Sequence, residues 1–199
     1  MKIIAITNHA FFSNTNDFIN HILTLDKACV DKIILRDKDL PASTYLEIAT
    51  ILATKLKHSE LIIHTRIAIA DMLKLNSIHL SYDTFIKSPL TYKNKEVSIS
   101  IHSLEEAIEL NKYNISFIIA SHIFPTECKK DMAPRGIEFI TSITNVSKHS
   151  VYALGGITPS NISLLNDSGI EGVTLMSSLM TTQAPSELIY LLKSNYIML

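Results

Sequence analysis

The sequence lacks the features of a membrane protein and of a nucleic-acid-binding protein. Its longest apolar run, ISFIIA, has the length of a strand and is far shorter than the roughly 20 residues that a membrane-spanning helix needs. Lysine and arginine (18) nearly equal aspartate and glutamate (19), so no excess of charge attracts nucleic acid or an anionic membrane. The sequence therefore predicts no nucleic-acid and no membrane partner, and any bound anion must be held by local geometry.

Cysteine is also scarce, which argues against a disulfide framework. Cys29 and Cys128 lie far apart and match no metal-binding spacing, and two free thiols fit a reducing compartment. The N-terminal stretch MKIIAITNHAFF has a short apolar run, but Asn8 and His9 interrupt it before the core of a signal peptide can form. We therefore expect a cytoplasmic protein.

The sequence does have a regular alternation of short apolar runs and longer amphipathic segments, which is typical of parallel strands joined by helices. With 199 residues, 47% of them apolar, the chain is long enough for one well-packed domain, residues 1–199. The predicted strands are Lys2–Thr7, Lys32–Arg36, Glu60–His64, Ser77–Leu80, Val97–Ile101, Ser116–Ala120, Val151–Leu154 and Gly172–Leu175. Together they predict an α/β fold, a single-domain (β/α)8 TIM barrel.

Two connections in this predicted barrel stand out. Residues 81–95 form a loop of about fifteen residues after the fourth strand, which is either a helix-poor crossover or a mobile cover over a site. After the seventh strand, Thr158 supplies a cap residue and Pro159 a first-turn proline. A helix is therefore predicted to begin there.

The ends of the last two predicted strands carry residues suited to binding phosphate. Gly155 and Gly156 let the backbone approach a ligand closely, and Ser177 and Ser178 add hydroxyl and N–H groups. In TIM barrels the loops after strands seven and eight commonly bind phosphate. The two glycines also fit a tight turn without any ligand.

Cationic side chains occur after the second and the sixth predicted strands. Arg36 and Lys38 alternate, so both are expected on one side, where they can hold a carboxylate or a second phosphate. A solvated charged turn is the alternative. Thr126 and Lys129 can contact a phosphate or orient a substrate carboxylate, and Cys128 beside Lys129 is either an activated thiol or an ordinary loop cysteine.

His122 directly follows the sixth predicted strand, where a histidine can give and take a proton near neutral pH. His64 and His102 also lie at strand ends, which leaves a zinc site open as an alternative. No carboxylate at the matching strand ends completes an oxygen-rich site, so Mg²⁺ is not expected.

These residues occur in motifs that resemble the thiamine phosphate synthase superfamily, and more closely its thiazole tautomerase (TenI-type) branch. The motifs span nearly the whole chain: IIAIT, ILRDK, VSISIHSLEEA, SHIFPTECKK with the following PRG, ALGGITPSN and VTLMSS. Ser121–Phe124 and Glu127–Lys130 match the Gly-His-Val-Phe-type and Asp-Cys-Lys-Lys segments of the tautomerase. The resemblance implies a TIM barrel that acts on a small thiazole phosphate.

The departures from the synthase pattern concern its metal ion. For the synthase, the resemblance implies Mg²⁺ held by aspartates after strands three and four. Thr65 and Thr84 stand at those positions here, with Asp83 next to Thr84 as a replacement ligand. The glutamine of the synthase's Gln-Leu-Arg-Glu-Lys motif is Ile34. We therefore expect neither a metal ion nor an organic cofactor.

The resemblance thus implies a thiazole tautomerase of thiamine biosynthesis, an isomerase that moves one proton to aromatise a carboxylated thiazoline phosphate. His122 would carry that proton. The resemblance assigns substrate and phosphate binding to Arg36, Lys38, Ser100, Thr126, Lys129, Gly155, Gly156, Met176 and Ser177. It also implies a homo-oligomer. Two alternatives are thiamine phosphate synthase itself, a Mg²⁺-dependent transferase, and a regulatory protein that binds a phosphorylated ligand.

Overall fold

Eight parallel strands pair in sequence order, and the first also pairs with the last, so the sheet closes into a barrel. The computed structural model describes residues 1–127 and 132–196. The strands are β1 Lys2–Ile6, β2 Lys32–Leu35, β3 Glu60–His64, β4 Ser77–Ser81, β5 Glu96–Ile101, β6 Phe117–Ser121, β7 Ser150–Leu154 and β8 Gly172–Leu175. The predicted TIM-barrel fold is confirmed.

Helices pack around the outside of the barrel. In the described part of the chain they are α1 Thr15–Lys27, α2 Ala42–Lys55, α3 Ile67–Met72, α4 Tyr82–Ile86, α5 Leu104–Leu110, α6 Gly136–Val146, α7 Ser177–Thr181 and α8 Pro185–Asn195. Ser103 caps α5, since its hydroxyl accepts a hydrogen bond from the backbone N–H of Glu106. None of the helices in residues 1–127 and 132–196 has both the length and the apolar character needed to cross a membrane.

The structure differs from the sequence prediction at two connections. Residues 81–95 are not a helix-poor crossover, because α4 and a 3-10 helix at Pro89–Tyr92 occupy most of them. The alternative, a mobile cover over a site, stays a prediction. Phe85 anchors this segment: it is buried, and its ring lies edge-on to Tyr113 with centroids 5.1 Å apart. The packing of Phe85 stabilises helical structure in this segment, although its polar sequence has a low intrinsic helix propensity.

The helix predicted to begin at Thr158 and Pro159 is replaced by a turn and a 3-10 helix at Ile162–Leu165. Asn161 explains the difference. Its side-chain oxygen accepts from the backbone N–H of Thr158, and its amide donates to the carbonyl of Gly156. Such local side-chain bonds stabilise a turn at the expense of a regular helix.

The apolar residues form two layers, one inside the barrel and one between the barrel and the helices. The inner layer is built from Ile4, Ile6, Ile34, Ile62, Phe117, Ile119 and Tyr152. Side chains alternate along a strand, so the residue two positions beyond an inner residue also faces the lumen. His64 therefore follows Ile62, and the carboxyl-terminal rim of the lumen becomes polar.

The opposite, amino-terminal rim is held by carboxylates that bind backbone N–H groups. Asp26, near the end of α1, accepts hydrogen bonds from the backbone N–H groups of Lys57, His58 and Ser59, just before β3. Although burial acts in the other direction, these three donors lower the pKa of Asp26. Asp31 similarly accepts from the N–H of Ile3.

Candidate active site

A cavity of about 530 Å³ opens at the carboxyl-terminal rim of the barrel. The residues predicted from the sequence that line it are Arg36, Lys38, Ser100, His122, Thr126, Gly155, Gly156, Met176 and Ser177. The two other candidates, Cys128 and Lys129, lie outside the described residues. The predicted site residues that the structure describes thus meet in one cavity, as expected when parallel strands end at the same rim.

His79 connects β4 and β5 through hydrogen bonds inside the lumen. Its Nδ1 lies 2.9 Å from Oγ of Ser98, and its Nε2 lies 2.8 Å from Oγ of Ser100. The hydroxyl of Ser98 donates to the carbonyl of Ile78, so its oxygen is the acceptor for an Nδ1–H group. Nε2 is therefore unprotonated and accepts from Ser100. Burial is the main cause that lowers the pKa of His79 to about 3, which keeps the ring neutral.

His64 lies beside His79, with ring centroids 5.9 Å apart, and is also largely buried. Burial and then the positive charges of Arg36, Lys38 and Arg66 lower the pKa of His64 to about 4. Both histidines are therefore neutral at physiological pH. They offer ring surface to a ligand but no charge.

His122 is only 2% exposed, yet its ring lines the cavity. Its Nε2 lies 3.3 Å from the carbonyl oxygen of Met132, which can only accept, so Nε2 carries the proton. Among the described residues Nδ1 has no hydrogen-bond partner and is left as a buried acceptor. His102 does not touch this ring in any described contact. Nδ1 of His102 instead lies 3.1 Å from Oγ of Ser121, the residue before His122.

Gly155 and Gly156 have positive φ angles of 109° and 66°, and both pack closely on the loop after β6. A Cβ on Gly155 would lie 2.5 Å from Cβ of His122, and one on Gly156 would lie 2.3 Å from the carbonyl oxygen of Pro125. The glycines are therefore required by this packing whether or not a ligand binds. The same turn brings their backbone to the cavity, at the end of the strand next to β8, which leads to Ser177 at the start of α7.

A second cavity of about 360 Å³ adjoins the first at the ends of β2, β3 and β4. Lys38, His64 and Ser81 line both cavities, so the two adjoin. Arg66 lines the second one; its guanidinium donates to the carbonyl of Leu40 and lies over the ring of Tyr45 at 4.5 Å. This end of the site is therefore cationic.

The donors in this region do not fit the Mg²⁺ ion that the resemblance implies for a synthase. Thr65 and Thr84 line the second cavity in place of carboxylates, and Asp83 is exposed on α4 and lines neither cavity. Asp37 lines the second cavity, but each of its oxygens already accepts a hydrogen bond, from the hydroxyl of Thr7 and from a backbone N–H. In the described residues no group of three or more histidine, cysteine, aspartate or glutamate side chains can hold a metal ion.

His79 and two further lumen residues of the site were missed from the sequence. Ser98 fixes the tautomer of His79, and Thr174 is fully buried with a hydroxyl that has no partner among the described residues. The alternation of residues supplied a signal for both. Ser98 lies two positions before Ser100, and Thr174 lies two positions before Met176, so each faces the lumen with its neighbour.

Comparison with known proteins decides the family. A family model described as thiamine monophosphate synthase matches residues 3–179. The chain belongs to this family. Thiamine-phosphate synthase from Syntrophomonas wolfei is 31% identical over 160 residues, which cover 77% of each chain. The enzyme of the same name from Lacticaseibacillus paracasei is 27% identical over 190 residues, which cover 93% of this chain and 88% of the relative.

The solved structures agree on the fold. Thiamine phosphate pyrophosphorylase from Pyrococcus furiosus superposes with a TM-score of 0.81 over 98% of this chain and 95% of that chain, at 21% identity. These relatives in the thiamine monophosphate synthase family carry the name of a transferase, and none of them is named a tautomerase. The prediction of a thiazole tautomerase, an isomerase, was therefore wrong. It gave too much weight to the short segment around His122 and to the missing aspartates.

Proposed function

We propose that this protein is a transferase of the thiamine-phosphate synthase type, which joins an aminopyrimidine diphosphate to a thiazole phosphate and releases diphosphate. The names of its relatives support this reaction. The observation that carries the proposal is that two adjoining cavities have two separate places suited to anions. A reaction between two phosphorylated molecules needs both.

The thiazole phosphate is assigned to the rim at β7 and β8. There the backbone of Gly155 and Gly156 faces the cavity, and α7 begins with Ser177. The first N–H groups of a helix have no partner within it, so those of Ser177 and Ser178 are available to phosphate oxygens together with their hydroxyls. Among the described residues that line the cavity, no side-chain cation lies at this end, so backbone N–H and hydroxyl groups are assigned the binding.

The diphosphate is assigned to the other end, after β2 and β3. Arg36 and Lys38 line the main cavity there, and Arg66 lines the adjoining one. Guanidinium groups match phosphate oxygens in pairs, and an ammonium group adds a point charge. The charge that develops on the leaving diphosphate is thus stabilised by groups that are already in place.

In this coupling the bond from the methylene carbon of the aminopyrimidine to the diphosphate oxygen breaks, and a bond from that carbon to the thiazole nitrogen forms. No proton has to leave either ring for this exchange. We therefore assign His122 to binding, with its Nδ1, which has no partner among the described residues, accepting an N–H group of the aminopyrimidine. Ser100, held by His79, orients a substrate from the adjacent strand β5.

The test is formation of thiamine phosphate and diphosphate by the purified protein when both substrates are supplied, each substrate alone being the control. Lys38→Met is expected to lower kcat/KM by about tenfold to a hundredfold, because a charge-assisted hydrogen bond is lost. Lys55→Met, which removes an exposed lysine at the amino-terminal rim, is the matched control and is expected to change nothing. Absence of product, with and without added Mg²⁺, would contradict the proposed function.

A further inference from the structure

The diphosphate end of the site holds more positive charge than the surrounding groups neutralise. In the described residues, none of Arg36, Lys38 and Arg66 has a carboxylate oxygen within 4.0 Å, since the ion pairs lie elsewhere in the structure. Asp37 is the one carboxylate among the described residues that line the two cavities. It accepts hydrogen bonds from the hydroxyl of Thr7 and from the backbone N–H of His9, in the loop after β1. Three cations therefore face one carboxylate.

Neutral groups hold the guanidinium of Arg66 in place without lowering its charge. It donates to the carbonyl oxygen of Leu40 and lies over the ring of Tyr45. The backbone of Arg36 is also fixed, because its N–H donates to the hydroxyl of Thr7, which in turn donates to Asp37. The guanidinium of Arg66 is thus preorganised for an anion.

The pKa of His64 shows the sign of the local electrostatic field, because the charges of Arg36, Lys38 and Arg66 act on its ring. After burial, the positive charges around it are what disfavour its protonation, and its pKa falls to about 4. A field that opposes one extra positive charge opposes a divalent cation at the same place more strongly. The field and the donor set thus both argue against Mg²⁺ at the ends of β3 and β4.

We propose that this protein binds the diphosphate group directly through Arg36, Lys38 and Arg66, without a divalent metal ion. The choice of diphosphate as the ligand rests on the proposed function. These cationic side chains neutralise the negative charge of the diphosphate. In a site with carboxylate ligands, a metal ion would do so.

The backbone at Thr65 allows a direct test by restoring carboxylates. Thr65 has φ = 60°, a left-handed conformation that aspartate and asparagine adopt far more readily than a β-branched residue does. Thr84 lies in the first turn of α4, where a carboxylate is favourable to the helix. Thr65→Asp combined with Thr84→Asp is therefore compatible with the fold and places two hard oxygen ligands in the second cavity.

The experiment is calorimetric titration of the whole protein with inorganic diphosphate, in EDTA and in excess Mg²⁺. Wild-type protein is expected to bind in EDTA, with Mg²⁺ leaving the affinity unchanged or lowering it. Arg36→Met and Lys38→Met are each expected to weaken binding in EDTA by about tenfold or more, while Lys55→Met keeps wild-type affinity. The double aspartate variant is expected to bind weakly in EDTA and to regain affinity with Mg²⁺.

Wild-type binding that requires Mg²⁺, or that Mg²⁺ tightens by about tenfold or more, would overturn the inference. So would an absence of binding under both conditions. Because the titration uses no aminopyrimidine and no thiazole, it is independent of turnover. Metal-free binding without coupling activity would refute the proposed function alone, whereas Mg²⁺-dependent binding with coupling activity would refute this inference alone.

Discussion

Ser100 donates its hydroxyl proton to Nε2 of His79 across the 2.8 Å that separates them, and so presents only oxygen lone pairs to the cavity. This direction follows from Ser98, whose own proton goes to the carbonyl of Ile78. A neutral histidine with its proton on Nδ1 thereby determines the direction of the hydrogen bond that a serine on the next strand makes. Ser100 is prepared to accept a hydrogen bond from a substrate N–H group.

Histidine labelled with ¹⁵N should reveal this tautomer by NMR. We expect His79 to show Nδ1 protonated and Nε2 unprotonated. Ser98→Ala removes the acceptor for Nδ1–H, so it should shift the ring towards the other tautomer and destabilise the fold by about 1 kcal/mol. Ser194→Ala, at an exposed position in α8, is the control. Protonated Nε2 in the wild-type protein would refute the hydrogen-bond direction.

Folding stability should fall as the pH decreases below 6.5. In the unfolded chain His64 and His79 take up protons near pH 6.5, whereas in the folded protein their pKa values are about 4 and about 3. The unfolded state therefore binds more protons between these values, and each histidine lowers the free energy of unfolding by up to about 1.4 kcal/mol per pH unit in that interval.

Urea denaturation at a series of pH values measures this dependence. His64→Gln should remove the share of the slope that comes from His64, and the remaining slope should then belong to His79 and to carboxylates such as Asp26 at lower pH. A free energy of unfolding that stays constant between pH 6.5 and the pKa of His64 would show that the two rings are not neutral in the folded state.

Gly156→Ala should be more destabilising than Gly136→Ala. Both glycines have positive φ, 66° and 79°, so both substitutions incur the cost of a left-handed alanine, roughly 1–2 kcal/mol. Only Gly156 meets backbone as well, since its Cβ would lie 2.3 Å from the carbonyl oxygen of Pro125, whereas nothing lies within 4 Å of a Cβ on Gly136. Thermal denaturation of the two variants gives the comparison, and equal losses would show that the contact with Pro125 relaxes freely.

Tyr45→Phe should destabilise the junction of β2 and β3. The hydroxyl of Tyr45 donates to the carbonyl of Leu35 at 2.6 Å in a buried setting, so its removal leaves that carbonyl unpaired at a cost of about 1–3 kcal/mol. Tyr190→Phe is the control, because Tyr190 is 68% exposed on α8. Chemical denaturation measures both variants. If Tyr45→Phe is as stable as the control, water must satisfy Leu35.

The barrel could be predicted from the sequence because its signal is periodic. Each strand is a short apolar run, and the polar residue that ends the run marks the rim, as Arg36 does after β2. The connections were harder to predict from the sequence. Asn161 stabilises a turn where a helix was predicted, and Phe85 packs a polar loop against the core. Both effects depend on contacts that form only in the folded protein.

The site was predictable to the extent that strand ends point to one rim. The interactions between strands could not be predicted from the sequence, because the hydrogen bond between His79 and Ser100 joins residues 21 positions apart in the chain. The activity was misjudged for a different reason. His122 and its neighbours form a short motif, whereas similarity to the synthases extends over most of the chain.

The carboxylate of Asp26, which binds three successive backbone N–H groups at the amino-terminal rim, stabilises the barrel at the end that is remote from the cavity. Substitutions of cavity residues at the carboxyl-terminal rim therefore leave this contact intact, even where threonine stands in place of a carboxylate. Rim residues such as Gly156 and Tyr45 contribute stability of their own. The separation of Asp26 from the cavity makes the protein a suitable starting point for directed evolution.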